Sequence, residues 1–397
     1  MWLLSSAGGC LPSFYEFFAG GGMARAGLGP DWDCLFANDF DKMKAAAYRE
    51  NWGDGDLLEG DVNAIDSTNL PGNPDLVWAS FPCQDLSLAG NYAGIGHPSA
   101  KSHTRSGTFW PFWKLMRGLA NEGRAPRVIV LENVYGTLTS HGGKDFGAIA
   151  AALSGGGYRY GAMVIDARHF LPQSRPRLFV VAVRSDVPIP AALLTDAPFA
   201  PWHPGAMQSA VGLLSAEAAK KWLWWNLPTP KPRTTVFADL VEAEPAGVAW
   251  HTPAETKRLL AMMSDVNLAK VKEAQKAGHQ VVGCIYKRTR LNDQGIKTQR
   301  AEARFDDVAG CLRTPSGGSS RQTILIINAK RVRSRLLSPR ETARLMGLPE
   351  TYVLPSKYND AYHLSGDGVA VPVVRYLAEN ILTPILKAQA PLALAVG

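Results

Sequence analysis

Cysteine is scarce in this chain of 397 residues: five are present, Cys10, Cys34, Cys83, Cys284 and Cys311, far apart and with no CxxC pair or His-x-x-x-His segment. That spacing argues against a zinc site or a disulfide framework and points to a reducing compartment. No run reaches the roughly 18 apolar residues that a membrane span needs. The opening residues, Met1 to Cys10, hold a short apolar run without a basic segment ahead of it, so they do not read as a secretory signal, and a cytoplasmic location is expected. Internal repeats and a low-complexity tail are absent too. Acidic residues are outnumbered, 35 against 42 Lys and Arg, which leaves a net charge of +7 and a pI near 9.1 and favours a polyanionic partner.

What is present is a core. With 46% hydrophobic residues the chain can bury one large domain and a smaller one. From Phe14 to Arg184 short apolar runs alternate with amphipathic stretches, the pattern of a doubly wound, mostly parallel α/β sheet. Strands are predicted at Phe14 to Phe18, Cys34 to Ala37, Asp75 to Phe81, Arg127 to Leu131, Tyr160 to Ile165 and Leu178 to Val183, with helices at Asp41 to Asn51 and Thr108 to Glu122. Ligands of such a sheet sit beyond the carboxyl ends of its strands. After Arg184 the rhythm breaks into a Pro-rich and Trp-rich stretch that includes Trp222-Leu-Trp-Trp225, then a helical period over Glu255 to Lys276. From Cys284 to Arg335 twelve Lys or Arg face four acids. Ser338-Pro-Arg-Glu341 has the form of a capping box that starts a helix running to Met346, and a last amphipathic helix spans about Val371 to Ala388.

The strand Phe14 to Phe18 opens through Ala19-Gly-Gly-Gly-Met23 into a helix, a turn that lets backbone approach a ligand closely. The spacing Gly20-x-Gly22-x-x-Arg25 lacks the third glycine of the dinucleotide fingerprint, which disfavours a nicotinamide enzyme. Phe18 can offer a face to adenine, Asp39 at the end of the next strand can hold ribose hydroxyls, and Asp61-Val62 can meet the adenine edge. Two alternatives stand beside this: Asp39 as the cap of the following helix, and Phe40 as core.

Pro82-Cys83-Gln84 follows one apolar strand and Glu132-Asn133-Val134 follows another, so a thiol and a carboxyl group face one pocket, a pairing suited to attack on a pyrimidine ring. Pro172-Gln-Ser-Arg-Pro-Arg177 lies between the last two strands. The order of these motifs resembles the DNA cytosine-5 methyltransferase family over nearly the whole chain. The resemblance implies S-adenosylmethionine as cofactor, bound by Phe18, Ala19, Gly20, Gly21, Gly22, Asp39, Phe40, Asp61, Val62, Pro82, Phe109, Asp367 and Gly368. It implies Cys83 as nucleophile, Pro82 fixing its turn and Gln84 beginning the next loop. Glu132 is expected to be the proton partner of cytosine N3, a role that requires a site raising its pKa. The resemblance also implies that Arg175 contacts the base carbonyl and a phosphate, and that Arg177 holds Glu132 or the backbone. Asp367 departs from the pattern, since the family's segment has an amide there; it is expected to serve the ammonium side of the cofactor.

The long segment Asp85 to Gly107 reads as an active-site lid. Double-stranded DNA is the expected partner, contacted by Ser87, Arg105, Arg175, Gly317, Gly318 and Arg321, with the target cytosine flipped out of the helix. The expected organisation is a catalytic domain over 1–184, a target-recognition domain over 185–335 and a C-terminal segment over 336–397 that packs back on the catalytic domain. A monomer, nucleoid-associated, with no metal and with a cognate restriction endonuclease that forms no stable complex completes the expectation, although a solitary or phage-borne enzyme fits equally. The alternatives are a tRNA cytosine-5 methyltransferase, which the long basic insert argues against, and a catalytically silent DNA-binding protein.

Overall fold

A computed structural model describes residues 11–82, 95–96, 105–291, 294–313 and 321–388. The chain divides into two compact units, one of residues 1–164, 177–228 and 374–397, the other of 165–176 and 229–373.

The first unit is built on a seven-stranded sheet. Its elements are β1 (Ser13–Phe17), α1 (Met23–Leu28), β2 (Asp33–Asp39), α2 (Lys42–Trp52), β3 (Leu57–Glu59), β4 (Leu76–Ala79), α3 (Phe109–Asn121), β5 (Val128–Val134), α4 (Lys144–Gly155), β6 (Tyr158–Asp166) and β7 (Pro176–Arg184). The order is β3-β2-β1-β4-β5-β7-β6, parallel from β3 to β5, with β7 antiparallel to β5. The doubly wound expectation holds, and every predicted strand is found with ends shifted by a few residues. One shift matters: β5 runs on through Glu132-Asn133-Val134, so that motif belongs to the strand rather than following it. A reversal of strand order falls between β1 and β4, the switch point at which such sheets open a crevice. Beneath it, Phe17, Phe36, Phe81, Phe109 and Phe112 pack as one buried cluster.

Small elements follow in this unit: β8 (Leu194–Thr195), α5 (Gly205–Gly212), α6 (Ala216–Ala219) and β9 (Trp224–Trp225). Trp202 and Trp225 are fully buried, while Trp222 and Trp224 are half-buried against the core of this unit.

The second unit carries α7 (Pro253–Ala261), α8 (Asp265–Lys276), β10 (Gln280–Leu291), β11 (Lys297–Arg304), β12 (Thr323–Asn328), β13 (Arg331–Leu336), α9 (Pro339–Leu345) and α10 (Tyr358–Asp367). The helical period over Glu255 to Lys276 is two helices; Ser264 sits at the N-cap of the second. The basic stretch forms an antiparallel sheet of order β11-β10-β12-β13. Ser338 and Glu341 close the expected capping box on α9. Beyond α10 come α11 (Val371–Leu377), a π-helical turn over Ala378–Leu382 and α12 (Thr383–Lys387), and the chain is back in the first unit, where Arg127 donates to the Leu386 carbonyl at 3.1 Å. By length and mean hydropathy Tyr358–Lys387 qualifies as a membrane span, which a count of uninterrupted apolar residues passes over; half of its most apolar window is buried inside the protein, as in a core helix.

Candidate active site

Polar groups gather where the parallel strands end. Adjacent strands β2, β1, β4 and β5 place Asp39, Phe18, Pro82 and Glu132 along one edge, within roughly 15 Å at ~4.8 Å per strand.

The glycine loop is fixed from two sides. Phe18 (φ 57°) and Gly20 (φ 57°) both take left-handed backbone, and at Gly22 (φ 75°) a Cβ would lie 2.3 Å from Trp52 Nε1, so only glycine fits there. Gly20 N donates to Asp39 Oδ2 at 2.8 Å, Ala19 N to the Asn38 carbonyl at 2.9 Å, and Trp52 Nε1 to the Gly21 carbonyl at 3.0 Å. Asp39 accepts again from Asp41 N at 2.9 Å, and burial pushes its carboxyl above the usual range. The cap of α2 is Asp41, not Asp39: its Oδ1 accepts from Met43 N and Lys44 N.

One member of this site was not found from sequence. Glu16, 2% exposed, accepts from Ala24 N and Arg25 N at 3.1 Å each and so binds the first turn of α1 to β1. Burial pushes its carboxyl up to about 8, against the pull of the two backbone donors. The available signal was an acid inside the apolar run Phe14-Tyr-Glu-Phe-Phe18.

The aromatic residues separate. Phe40 is 66% exposed, which rules out a core role and leaves an exposed ring next to Asp39. Phe18 is half-buried against Phe112. Phe109 departs from its expected cofactor contact: it is fully buried among Phe81, Trp110, Phe112 and Trp113, because the first turn of α3 turns inward. Val62 is buried, and Asp61 is an exposed cap whose Oδ1 accepts from Asn63 N at 2.9 Å. Close-approach glycines, an acid at the end of β2 and an exposed ring beside it fit the adenosine part of S-adenosylmethionine.

At the ends of β4 and β5 a second cluster forms. Glu132, 7% exposed, lies 3.2 Å from Arg177 Nε on the antiparallel neighbour β7. Asn133 Nδ2 donates to the Phe81 carbonyl at 3.1 Å, and its Oδ1 accepts from Val134 N and Thr137 Oγ1. Asn133 thereby ties the carboxylate strand to Phe81-Pro82, a positioning contact that the motif alone did not disclose. Cys83, Gln84 and Ser87 lie outside the described residues, as do Gly317 and Gly318; Arg105 begins a short 3-10 turn, and its side chain is not described.

Within the second unit Arg175 is 2% exposed. Its guanidinium donates to the carbonyls of Leu312 (3.1 Å), Gly366 (2.9 Å) and Gly368 (2.6 Å), and to Cys311 Sγ (3.4 Å). Gln173 Nε2 likewise donates to the Leu345 carbonyl at 2.6 Å. The base contact expected of Arg175 does not match a guanidinium spent on backbone in this way, and it is Arg177 that stands beside the carboxylate. Asp367, at the end of α10, is exposed. Arg321 donates to Asn359 and lies over the Tyr358 ring. Among the described residues no cluster of His, Cys, Asp and Glu is set to hold a metal.

The chain is similar to known proteins over nearly its whole length. The type II methyltransferase M.NlaX of Neisseria lactamica is 25% identical over 370 residues, 92% of this chain and 95% of that protein. M.HhaI of Haemophilus parahaemolyticus is 23% identical over 93% of each. In solved structures the fold is shared by the methyltransferase EhMeth of Entamoeba histolytica (TM-score 0.60, 14% identity, 96% of this chain and 100% of that one) and by a DNMT2 variant of Spodoptera frugiperda (TM-score 0.59, 16%, 95% and 100%). The profile of C-5 cytosine-specific DNA methylase matches residues 13–383, and with nearly its whole length so matched the chain belongs to that family.

Proposed function

We propose that the protein methylates C5 of cytosine within a specific double-stranded DNA sequence, using S-adenosylmethionine. The observation that carries this reading is the Glu132–Arg177 pair, joined through Asn133 to the Phe81-Pro82 segment that leads directly into Cys83. C5 of cytosine is a weak nucleophile, so covalent addition must come first. The Cys83 thiolate adds to C6 of a flipped-out cytosine while Glu132 gives N3 a proton, which places the displaced electron pair on C5. Arg177 keeps Glu132 oriented throughout. The bound cofactor supplies an electrophilic methyl group for that electron pair. A base then removes the C5 proton, the C6–sulfur bond breaks, and Cys83 leaves as thiolate while N3 returns its proton to Glu132.

In this reading the unit of residues 1–164, 177–228 and 374–397 takes the catalytic role and 229–335 target recognition, so the expected boundary at 184 moves to 228. The last helices close the catalytic domain. Arg175 acts as a backbone brace that shapes the recognition side. The enzyme acts in the cytoplasm as a monomer on nucleoid DNA, in a restriction-modification pair or alone.

A duplex containing 5-fluorocytosine tests the reading, because fluorine at C5 prevents the last deprotonation and traps the adduct. Wild-type protein with cofactor is expected to form a denaturation-resistant complex, and Cys83→Ala to bind DNA without one. A protein that binds its site and forms no adduct is instead a silent DNA-binding protein. Bisulfite sequencing of host DNA after expression reports the target sequence.

A further inference from the structure

The second unit contains a cavity of about 600 Å3 at the root of the β10–β11 hairpin. Lys270, Arg288, Arg304 and Arg313 line it against one carboxylate, Glu302. Glu302 pairs with Arg288 at 3.2 Å, and Arg304 pairs with Asp306 outside the lining. Lys270 donates to the Ala303 carbonyl at 3.2 Å, and neither it nor Arg313 has a carboxylate partner among the described residues. Tyr286 lines the same cavity with its hydroxyl buried beside Arg304. A cavity with this excess of positive charge is a site for an anion.

A further observation says which anion. Residues on one face of a strand repeat every second position, ~6.8 Å apart. Arg288 is paired with Arg300 across the hairpin and Tyr286 with Glu302, so the basic lining continues outward along one face as a row. A row of cations fits a linear polyanion rather than a single small one. The other wall of the cavity is Ser174 and Pro176, on either side of Arg175.

We infer that this cavity seats backbone phosphates of double-stranded DNA: Lys270 and Arg313 hold one phosphodiester, and Arg288 with Arg300 the next, so that the hairpin is anchored without reading sequence. The inference rests on the proposed DNA substrate. Its signature is loss of counterion release that is the same for every sequence.

The test is anisotropy of the full-length protein with a random-sequence DNA duplex over a potassium chloride series. Lys270→Ala and Arg313→Ala are each expected to lower the slope of log affinity against log salt by about 0.9, and the double variant by about twice that, with an unchanged melting temperature. Lys276→Ala, an exposed lysine of α8 paired with Glu273, is the charge control and leaves the slope intact. Slopes of the Lys270 and Arg313 variants equal to that of the control overturn the inference. So does a steeper wild-type dependence on duplex RNA or folded tRNA than on DNA, which assigns the cavity to RNA. Trapping on 5-fluorocytosine separates the two proposals: a slope that falls as expected in a protein that never forms the adduct sinks the methyltransferase reading and leaves the phosphate seat standing.

Discussion

The parallel sheet of the first unit keeps its polar groups at strand ends, whereas the antiparallel sheet of the second keeps them on strand faces. Asp39, Glu132 and Asn133 close β2 and β5, and each is held by backbone or by one neighbour across the sheet. Arg288, Arg300 and Glu302 project from within strands β10 and β11, where Arg288 pairs with Glu302, and Arg335 on β13 is held by Glu341 of α9. A strand end is a local feature, set by where an apolar run stops. A strand face depends on register, which a single sequence does not display.

The largest expected effects test whether each unit has its own keystone. Arg335 and Glu341, 0% and 1% exposed, form a bidentate pair at 2.6 and 2.7 Å. Arg335→Ala strands a buried carboxylate and is expected to cost about 3–5 kcal/mol in chemical denaturation, destabilising the second unit. Phe109→Ala empties the aromatic cluster of the first and is expected to cost about 3–5 kcal/mol as well. If either substitution proves silent, that unit is not held as described.

Smaller effects sharpen the contrast between holding a loop and meeting a ligand. Asp39→Asn turns an amide N–H toward a backbone N–H, either at Gly20 or at Asp41, and is expected to cost about 1–3 kcal/mol of stability. Phe40→Ala, at an exposed ring, should leave stability within about 0.5 kcal/mol. Calorimetry should nevertheless show cofactor affinity falling several-fold, the equivalent of about 1 kcal/mol of lost stacking. Equal losses of stability and affinity in both variants would erase the distinction.

A further prediction concerns pH. Glu16 has its folded carboxyl raised from 4.5 to about 8, so its contribution to stability is fully present below pH 4.5 and is lost as pH climbs through 8. Glu16→Gln cannot ionise and is expected to flatten that decline. A melting-temperature series from pH 5 to 9 that runs parallel for both proteins would show that the two backbone donors, not burial, govern this carboxyl.

Sequence alone decided what is local. The glycine loop after β1, the acid ending β2, the proline and glutamate motifs at β4 and β5 and the capping box of Ser338 are each written in a few neighbouring residues, because strand ends, turns and caps are short-range devices. Tertiary structure decided which of two similar residues does which job. Phe109 is core and Phe40 is open to solvent; Arg175 braces carbonyls while Arg177 meets Glu132; Glu341 both caps α9 and neutralises Arg335. The reason is physical: burial and charge pairing depend on what arrives from distant parts of the chain, and residues far apart in order become neighbours only once the sheets have formed.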